Sequence, residues 1–338
     1  MPKREKVLLV FDSAGTKAID HDYKDELKTE EWQAESDVIR AIKRLGHECE
    51  MVGLHDDTEP LRQKLAEYQP DIIFNMVEAF ANLSSAEQKI TSYLELQGIP
   101  FTGCGSVGIT LCKNKGISKK ILGYHRIRVP AFAVFPVGRA IKRPARLNFP
   151  ILVKPLEEEA SYGISALSLV DTEKDFTERV QFVHEKFKQA AIAEEYIDGR
   201  ELYVGLMGNQ RLQVFPPTEM MFKEMPEDGP RFATFKAKWD WDYRERWGIE
   251  NDFAKLEPEV ARQIEKLCKR IYHLLLIDGY ARLDLRLTPQ NEIVFIEANP
   301  NPALTAYEDF ALAAAKAGLN YTRLIDRILK LAKATVRS

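Results

Sequence analysis

The chain has 338 residues, 45% hydrophobic and 29% charged, with a net charge of −3. That length exceeds one compact core and points to two or three domains. The near balance of charge offers no polybasic surface for nucleic acid or an anionic membrane, and no apolar run approaches the roughly 20 residues of a membrane span.

The first apolar run, Val7-Leu-Leu-Val-Phe, is too short for a signal peptide and ends at Asp12, as a buried strand would. Short apolar runs at 6–11, 49–54 and 71–77 alternate with helical patterns, an order that implies a parallel sheet. The first connection holds only Gly15 as a helper. It lacks both the Gly-x-Gly-x-x-Gly fingerprint and a phosphate loop ending in Gly-Lys-Ser/Thr. Residues 1–110 are therefore expected to form a Rossmann-like unit that binds no dinucleotide. The charged segment from Lys17 to Asp37 reads as a helix with an exposed face or as a lid. Cys49, Cys104, Cys112 and Cys268 show no Cys-x-x-Cys spacing and no matching histidines, which disfavours zinc and suits a reduced, cytoplasmic protein.

A second unit, residues 111–197, begins near Lys113. Phe149-Pro-Ile-Leu-Val-Lys-Pro is a strand carrying Lys154, followed by the loop Glu157-Glu-Glu-Ala-Ser161-Tyr-Gly163 and a return strand from Ile164 to Val170. Lysine charge and loop N–H groups of this kind can hold phosphate, although a solvated edge-strand lysine has the same local pattern. Glu194-Glu195-Tyr-Ile197, with Glu201 beyond, offers partners for an adenine edge and a ribose. By itself the simpler account of that stretch is a surface turn with charged flanks.

The third unit, residues 198–338, opens with Glu201-Leu-Tyr-Val-Gly and a stretch from Pro216 to Asp252 rich in Pro, Gly and charge. A loop that long is usually functional. Tyr280-Ala-Arg-Leu-Asp-Leu-Arg-Leu and Glu292-Ile-Val-Phe-Ile-Glu-Ala-Asn-Pro both alternate like half-buried strands. Arg282, Asp284 and Arg286 share one face, Glu297 and Asn299 another, and Thr288-Pro-Gln-Asn-Glu reads as the hairpin turn between them. Antiparallel pairing would gather Asp284, Glu297 and Asn299 into an oxygen cluster of the kind Mg²⁺ prefers. Two amphipathic strands facing water would alternate in the same way, but the exit Glu297-Ala-Asn299-Pro-Asn-Pro better suits a ligand platform. The last helix places Tyr321, Leu324, Ile325, Ile328 and Leu329 on one core stripe, with Arg323, Arg327, Lys330, Lys333 and Arg337 as its solvated face.

Taken in order, Asn114-Lys115-Gly-Ile-Ser-Lys, Val153-Lys154-Pro, Glu194-Glu-Tyr-Ile with Glu201, Arg282-Leu-Asp284 and Glu297-Ala-Asn299 resemble the ATP-grasp superfamily. The match is best to its D-alanine–D-alanine ligase-like branch, and Leu96-Gln-Gly-Ile-Pro-Phe-Thr-Gly103 looks like that branch's Leu-x-Gly-Ile-Pro-Tyr-Thr-Gly. The resemblance covers nearly the whole chain. It implies an α/β protein with an ATP-grasp fold, α+β in its two grasp subdomains (111–197 and 198–338), behind an N-terminal Rossmann-like pre-grasp domain (1–110). It further implies Lys115 and Lys154 on the ATP phosphates beside a loop containing Ser161 and Gly163. Glu194, Glu195 and the Ile197 backbone would line adenine, and Glu201 would bind ribose. Asp284, Glu297 and Asn299 would hold two Mg²⁺ ions, with Mn²⁺ an alternative and Glu297 bridging. Arg282 would stabilise charged oxygens, and Lys238 would reach the transferred phosphate from a mobile lid. The implied activity is an ATP-dependent carboxylate–amine ligase working through an acyl phosphate on small molecules, with no nucleic-acid or membrane partner. Homodimers are common in the family.

Three departures bear on the substrate. The phosphate loop has one glycine and three acids where the branch is rich in glycine and serine. The first-alanine residues of the branch do not carry over onto Asp12-Ser-Ala-Gly-Thr-Lys or Phe74-Asn-Met-Val-Glu78-Ala-Phe, where Glu78 is a substitute candidate. After Asn299 the chain reads Pro-Asn-Pro-Ala-Leu-Thr-Ala-Tyr-Glu308-Asp309, and acids there would repel an acceptor carboxylate. A larger or cationic acceptor fits better than D-alanine. The alternatives are a genuine D-alanine–D-alanine ligase and a silent nucleotide-binding scaffold. The acidic loop favours the scaffold, and the complete oxygen set with Arg282 opposes it.

Overall fold

A computed structural model describes residues 4–13, 20–159, 161–226, 229 and 231–335. Gly15, Ala160 and Arg337 lie outside these. In the first unit, β1 (Lys6–Asp12), α1 (Gln33–Arg44), β2 (Glu48–Leu54), α2 (Glu59–Tyr68) and β3 (Ile72–Met76) build a parallel sheet ordered β2-β1-β3. The period of two divides β1 between two cores. Val7, Leu9 and Phe11 pack toward α1, whereas Leu8 and Val10 pack with Leu61 of α2 and with Ile90 and Leu94 of α3 (Glu87–Gln97). The helix expected before Asp37 begins only at Gln33. Ahead of it lie two 3₁₀ turns, Glu26–Lys28 and Glu30–Trp32, because Tyr23 and Trp32 are buried together against Phe11 and pin the segment to the sheet.

Two helices follow, α4 (Ser106–Lys113) and α5 (Lys115–Tyr124). Asn114 separates them and caps α5, its side chain accepting from Ile117 N at 3.0 Å. The small sheet, β4 (Phe132–Phe135), β5 (Ile151–Pro155), β6 (Leu169–Val170) and β7 (Ala191–Glu195), is antiparallel in the order β4-β7-β5-β6, with α6 (Glu173–Phe187) packed on it.

The large sheet runs β11-β10-β8-β12-β13, with β9 on β8. Its members are β8 (Arg200–Met207), β9 (Gln213–Val214), β10 (Thr218–Phe222), β11 (Ile249–Phe253), β12 (Tyr280–Leu287) and β13 (Ile293–Pro300). Between β10 and β11 lie α7 (Phe235–Trp239) and α8 (Trp241–Arg246). The expected long loop from Pro216 to Asp252 is thus largely structured, held by its own small core of Met220, Ala237 and Ile249 with Tyr203. Behind the sheet, α9 (Pro258–Leu274) shares a core with Ile109 and Cys112 of α4 and Leu122 of α5. Sequence alone divides these helices between the first and second units, but their apolar sides are covered by the third.

The chain then forms α10 (Asp309–Lys316) and α11 (Tyr321–Ala334). Leu324, Ile325, Ile328 and Leu329 are buried as the stripe requires, and they share a core with Val7, Leu9, Val38 and Ile42. Position in the chain groups α11 with the large sheet, whereas its packing completes the first unit. No helix among the described residues is long and apolar enough to cross a membrane.

Candidate active site

The expected hairpin forms. Arg282 stands opposite Asn299 and Asp284 opposite Glu297, and Thr288 N donates to Glu292 O at 3.0 Å to close the turn. The register then slips, since Leu285 pairs with Phe295 and Ile296 is left as an extra residue. This β-bulge reverses the parity of β13. Phe295 and Ala298 enter the core, while Ile296 and Glu297 both line the cleft. Lys119 Nζ donates to the Ile296 carbonyl.

Asp284 is buried and accepts from Arg282 at 2.7 and 2.9 Å. Burial raises its carboxyl from the usual range, and Arg282 offsets this only in part. Burial would also raise Glu297, but Lys115, Lys154, Lys238 and Arg282 outweigh it and hold Glu297 well below the usual range. Lys115 Nζ lies 3.9 Å from Glu297 and donates to the Glu158 carbonyl. Asn299 carries a buried Nδ2 with no protein acceptor among the described residues. Two facing carboxylates and a carboxamide whose orientation the protein leaves unset are hard oxygen donors that suit Mg²⁺. Asp284 would have to release one arginine contact to bind it.

Across the cleft, Glu194 projects from β7 between two lysines. Lys119 Nζ is 2.9 Å from one carboxylate oxygen and Lys154 Nζ is 3.0 Å from the other. All three side chains are buried, and burial pushes Lys119 down to about 8. Glu195, one residue on, faces the other way, accepting from Arg128 at 3.2 Å and from Ala131 N at 3.0 Å. The expectation is that both glutamates line adenine, in a stretch offering backbone and carboxylate partners. Strand alternation commits Glu194 to the lysines and Glu195 to Arg128, which leaves backbone groups for a base edge. Glu201 accepts from Arg286 at 2.8 Å, from the Tyr203 hydroxyl at 2.8 Å and from Ala233 N at 3.1 Å.

These side chains line a cleft between the two sheets. Lys154, Ser161, Glu194, Glu195, Ile197, Glu201, Lys238, Asp284 and Glu297 all border it, with Leu152, Ile164, Phe232 and Ile296 among its apolar walls. Lys238 lies over the Tyr203 ring at 5.9 Å, and Arg282 over the same ring at 5.0 Å. The segment expected to act as a lid packs on the loop expected to hold phosphate. Ser161 Oγ donates to the Ala233 carbonyl at 2.7 Å, Phe235 N donates to Ile164 O at 2.9 Å, and the rings of Tyr162 and Phe235 meet at 5.3 Å. Gly163 turns at φ +76°, where an added Cβ would meet Phe187 and Pro155 at 2.7–2.8 Å, so the one glycine of this loop is required for its path.

Lys115, Gly163, Arg282 and Asn299 adjoin this cleft without bordering it. Glu78 and Glu308 are not among the residues that border the cleft. Asp12 accepts from Glu78 N at 2.7 Å. The Glu78 side chain is exposed at the surface, with protein packed closely about it. That enclosure, with Asp12, Glu159, Glu87 and Glu35 around it, pushes its carboxyl up to about 8. Burial raises Glu308, and Arg282 lowers it again. Lys119 and Arg286 stand within the sequence motifs but were given no role from sequence. Lys119 follows Lys115 by one helical turn, and Arg286 shares the face of Arg282 and Asp284, so period alone could have added both.

The model of the D-ala D-ala ligase C-terminus family matches residues 125–330. The chain belongs to this family. It is an ATP-grasp protein of the D-alanine–D-alanine ligase-like branch of ligases. The uncharacterized protein y4sG of Sinorhizobium fredii is 30% identical over 306 residues, spanning 87% of this chain and 86% of that one. A D-alanine–D-alanine ligase of Bordetella avium is 29% identical over 256 residues, 74% of this chain and 75% of its own. In fold, the chain is similar to the D-alanine–D-alanine ligase of Bacillus anthracis complexed with ATP, with a TM-score of 0.74 at 18% identity over 98% of both chains.

Proposed function

We propose that the protein is an ATP- and Mg²⁺-dependent carboxylate–amine ligase that forms an amide through an acyl phosphate, with an acceptor other than D-alanine gripped by its carboxylate. The observation that carries this reading is the convergence of Lys115, Lys154, Lys238 and Arg282 on Glu297, opposite Asp284. Four cations around two hard carboxylates suit a polyphosphate that arrives with metal, where a simple adenine binder would need neither.

A carboxylate oxygen attacks the γ-phosphorus of ATP, the bond to the β-bridging oxygen breaks, and ADP leaves. An amine nitrogen then attacks the acyl carbon, inorganic phosphate departs, and the nitrogen gives up a proton. Lys115, Lys154 and Lys238 would orient the phosphates and offset the repulsion between phosphate and the incoming carboxylate. Asp284, Glu297 and Asn299 would hold the Mg²⁺, which when bound neutralises charge on the transferring phosphoryl group. Arg282 would stabilise the oxyanion formed on amine attack, and the docked lid would exclude water from the acyl phosphate. At the acceptor end, Glu308 and Asp309 would disfavour a second carboxylate and favour an amine with added positive charge or a larger body.

The test is ADP and phosphate release across a panel of amino acids, dipeptides and polyamines. Stimulation by an acid–amine pair, with one amide formed per ADP, is the expected result. Glu297→Ala should lower turnover by about a thousandfold or more while leaving the circular dichroism spectrum unchanged. Near-normal ligation by that variant would overturn the assignment of Glu297. Stimulation by D-alanine alone would favour the ordinary D-alanine–D-alanine ligase of the named relatives.

A further inference from the structure

The three acids of the phosphate loop are each satisfied on the side away from the cleft. Glu157 accepts from Asn114 Nδ2 at 3.0 Å, and Glu158 accepts from Gln189 Nε2 at 2.8 Å and Ser84 Oγ at 3.4 Å. Glu159 reaches Lys113 Nζ at 3.4 Å, and the same ammonium is 2.5 Å from Glu87. The side chains of Lys113 and Glu87 are both only 5% exposed. Glu87 also bonds to the Asn301 side chain, whose Oδ1 accepts from Cys104 N at 2.7 Å. Asn301 directly follows the metal hairpin. One buried ammonium therefore joins the first unit, the end of that hairpin and the phosphate loop.

We propose that Lys113 is a positioning residue: by bridging Glu87 and Glu159 it holds the acidic loop with its charge turned away from the phosphates of bound ATP. The inference rests on the ATP-dependent reading above. Charge on Glu159, two residues before Ser161, would otherwise stand beside a polyanion. Lys113 both neutralises it and anchors it to a rigid helix end. The family's glycine- and serine-rich loop has no such charge to manage, whereas this loop carries three acids and a tether for each. A buried ion pair that serves only as a staple would affect stability without selecting for nucleotide.

Removing Lys113 alone would strand Glu87 in the interior, so the experiment uses Lys113→Met with Glu87→Gln in the full-length protein, with and without Glu159→Gln. The double variant is expected to raise the KM for ATP by about tenfold or more at little cost in kcat, since like charge beside the phosphates penalises binding. Adding Glu159→Gln should bring KM back to within about threefold of wild type. An unchanged KM in the double variant, or no recovery on removing the Glu159 charge, would overturn the inference. If the double variant fails to fold, Glu159→Gln alone decides through chymotrypsin cleavage after the exposed Tyr162. Faster cleavage than wild type, suppressed by ATP, supports the tether, and equal cleavage overturns it. Calorimetry separates the two readings. Wild-type protein that binds no MgATP would sink the site assignment and this inference together, whereas normal ATP binding by wild type and double variant alike would sink the inference only.

Discussion

Glu194 and Glu195 are adjacent on β7, yet one carboxylate is locked between Lys119 and Lys154 in the interior and the other meets Arg128 outside. Sequence supplies both acids and the right residue types around them. It does not supply the partner, because Lys119 reaches Glu194 only when α5 lies across the small sheet. The acids of the first unit make the same point through proton binding. Glu78 is pushed up to about 8 and Glu35 to about 7, in each case first by enclosure and then by neighbouring acids, Asp12 among them. Both start from 4.5, so the folded protein holds protons that the unfolded chain has released. Their contribution to stability is full below about pH 4.5 and is lost as pH rises through 7 to 8. Glu78→Gln should therefore leave the melting temperature at pH 4.5 unchanged and raise it at pH 8.5. Thermal melts at both values check this, and an equal effect at both would refute the raised carboxyl.

The hairpin of β12 and β13 was legible as two alternating runs and a turn, and its pairing of Asp284 with Glu297 follows from those. The bulge was not. Phe295, Glu297 and Asn299 share one parity in sequence, and only packing reveals that Phe295 leaves that face for the core. Aromatic burial against the gain of one regular ladder position decides it, at roughly 2 kcal/mol for the ring. The stretch from Pro216 to Asp252 stood out by composition as a long loop, and the resemblance implied a lid there, but its helices were missed because α7 and α8 span only Phe235–Trp239 and Trp241–Arg246, too short for a clear period. Phe235 meets Tyr162 of the phosphate loop, and that contact helps to keep the lid down. On the acyl-phosphate mechanism proposed above, Phe235→Ala should admit water to the intermediate, raising ADP released per amide formed by about two- to tenfold as about 0.5–1.5 kcal/mol of ring contact is lost. Parallel assays of ADP and product measure the ratio. An unchanged ratio would mean that the lid closes without this contact.

The parallel sheet of β1, β2 and β3 and the antiparallel pairing of β12 with β13 were readable from the apolar runs, but the way the units interlock was not. Two of the three units borrow a cover from elsewhere in the chain, while the small sheet builds its core with its own α6. The large sheet takes α4 and α5, and the first sheet takes α11. An amphipathic stripe states that a helix is buried, not against what. Leu324, fully buried in the core shared with Val7 and Ile42, tests this. Leu324→Ala should cost about 2–5 kcal/mol and shift urea unfolding of the first unit, followed by hydrogen exchange in β1 and β3. Protection in β1 and β3 that stays at wild-type level would show that α11 is not part of that core.

The same closure has a consequence during synthesis. As the chain leaves the ribosome, β1 to β3 emerge ahead of the two later units with one face of Val7, Leu9, Phe11, Ile72 and Phe74 that α1 covers only in part. The remaining cover is not made until both grasp subdomains have followed it out. Domains that fold one after another from the N-terminus need no such wait. Here strands made early are sealed late, and Lys333 of α11 meeting Glu5 just ahead of β1 ties the two distant segments together.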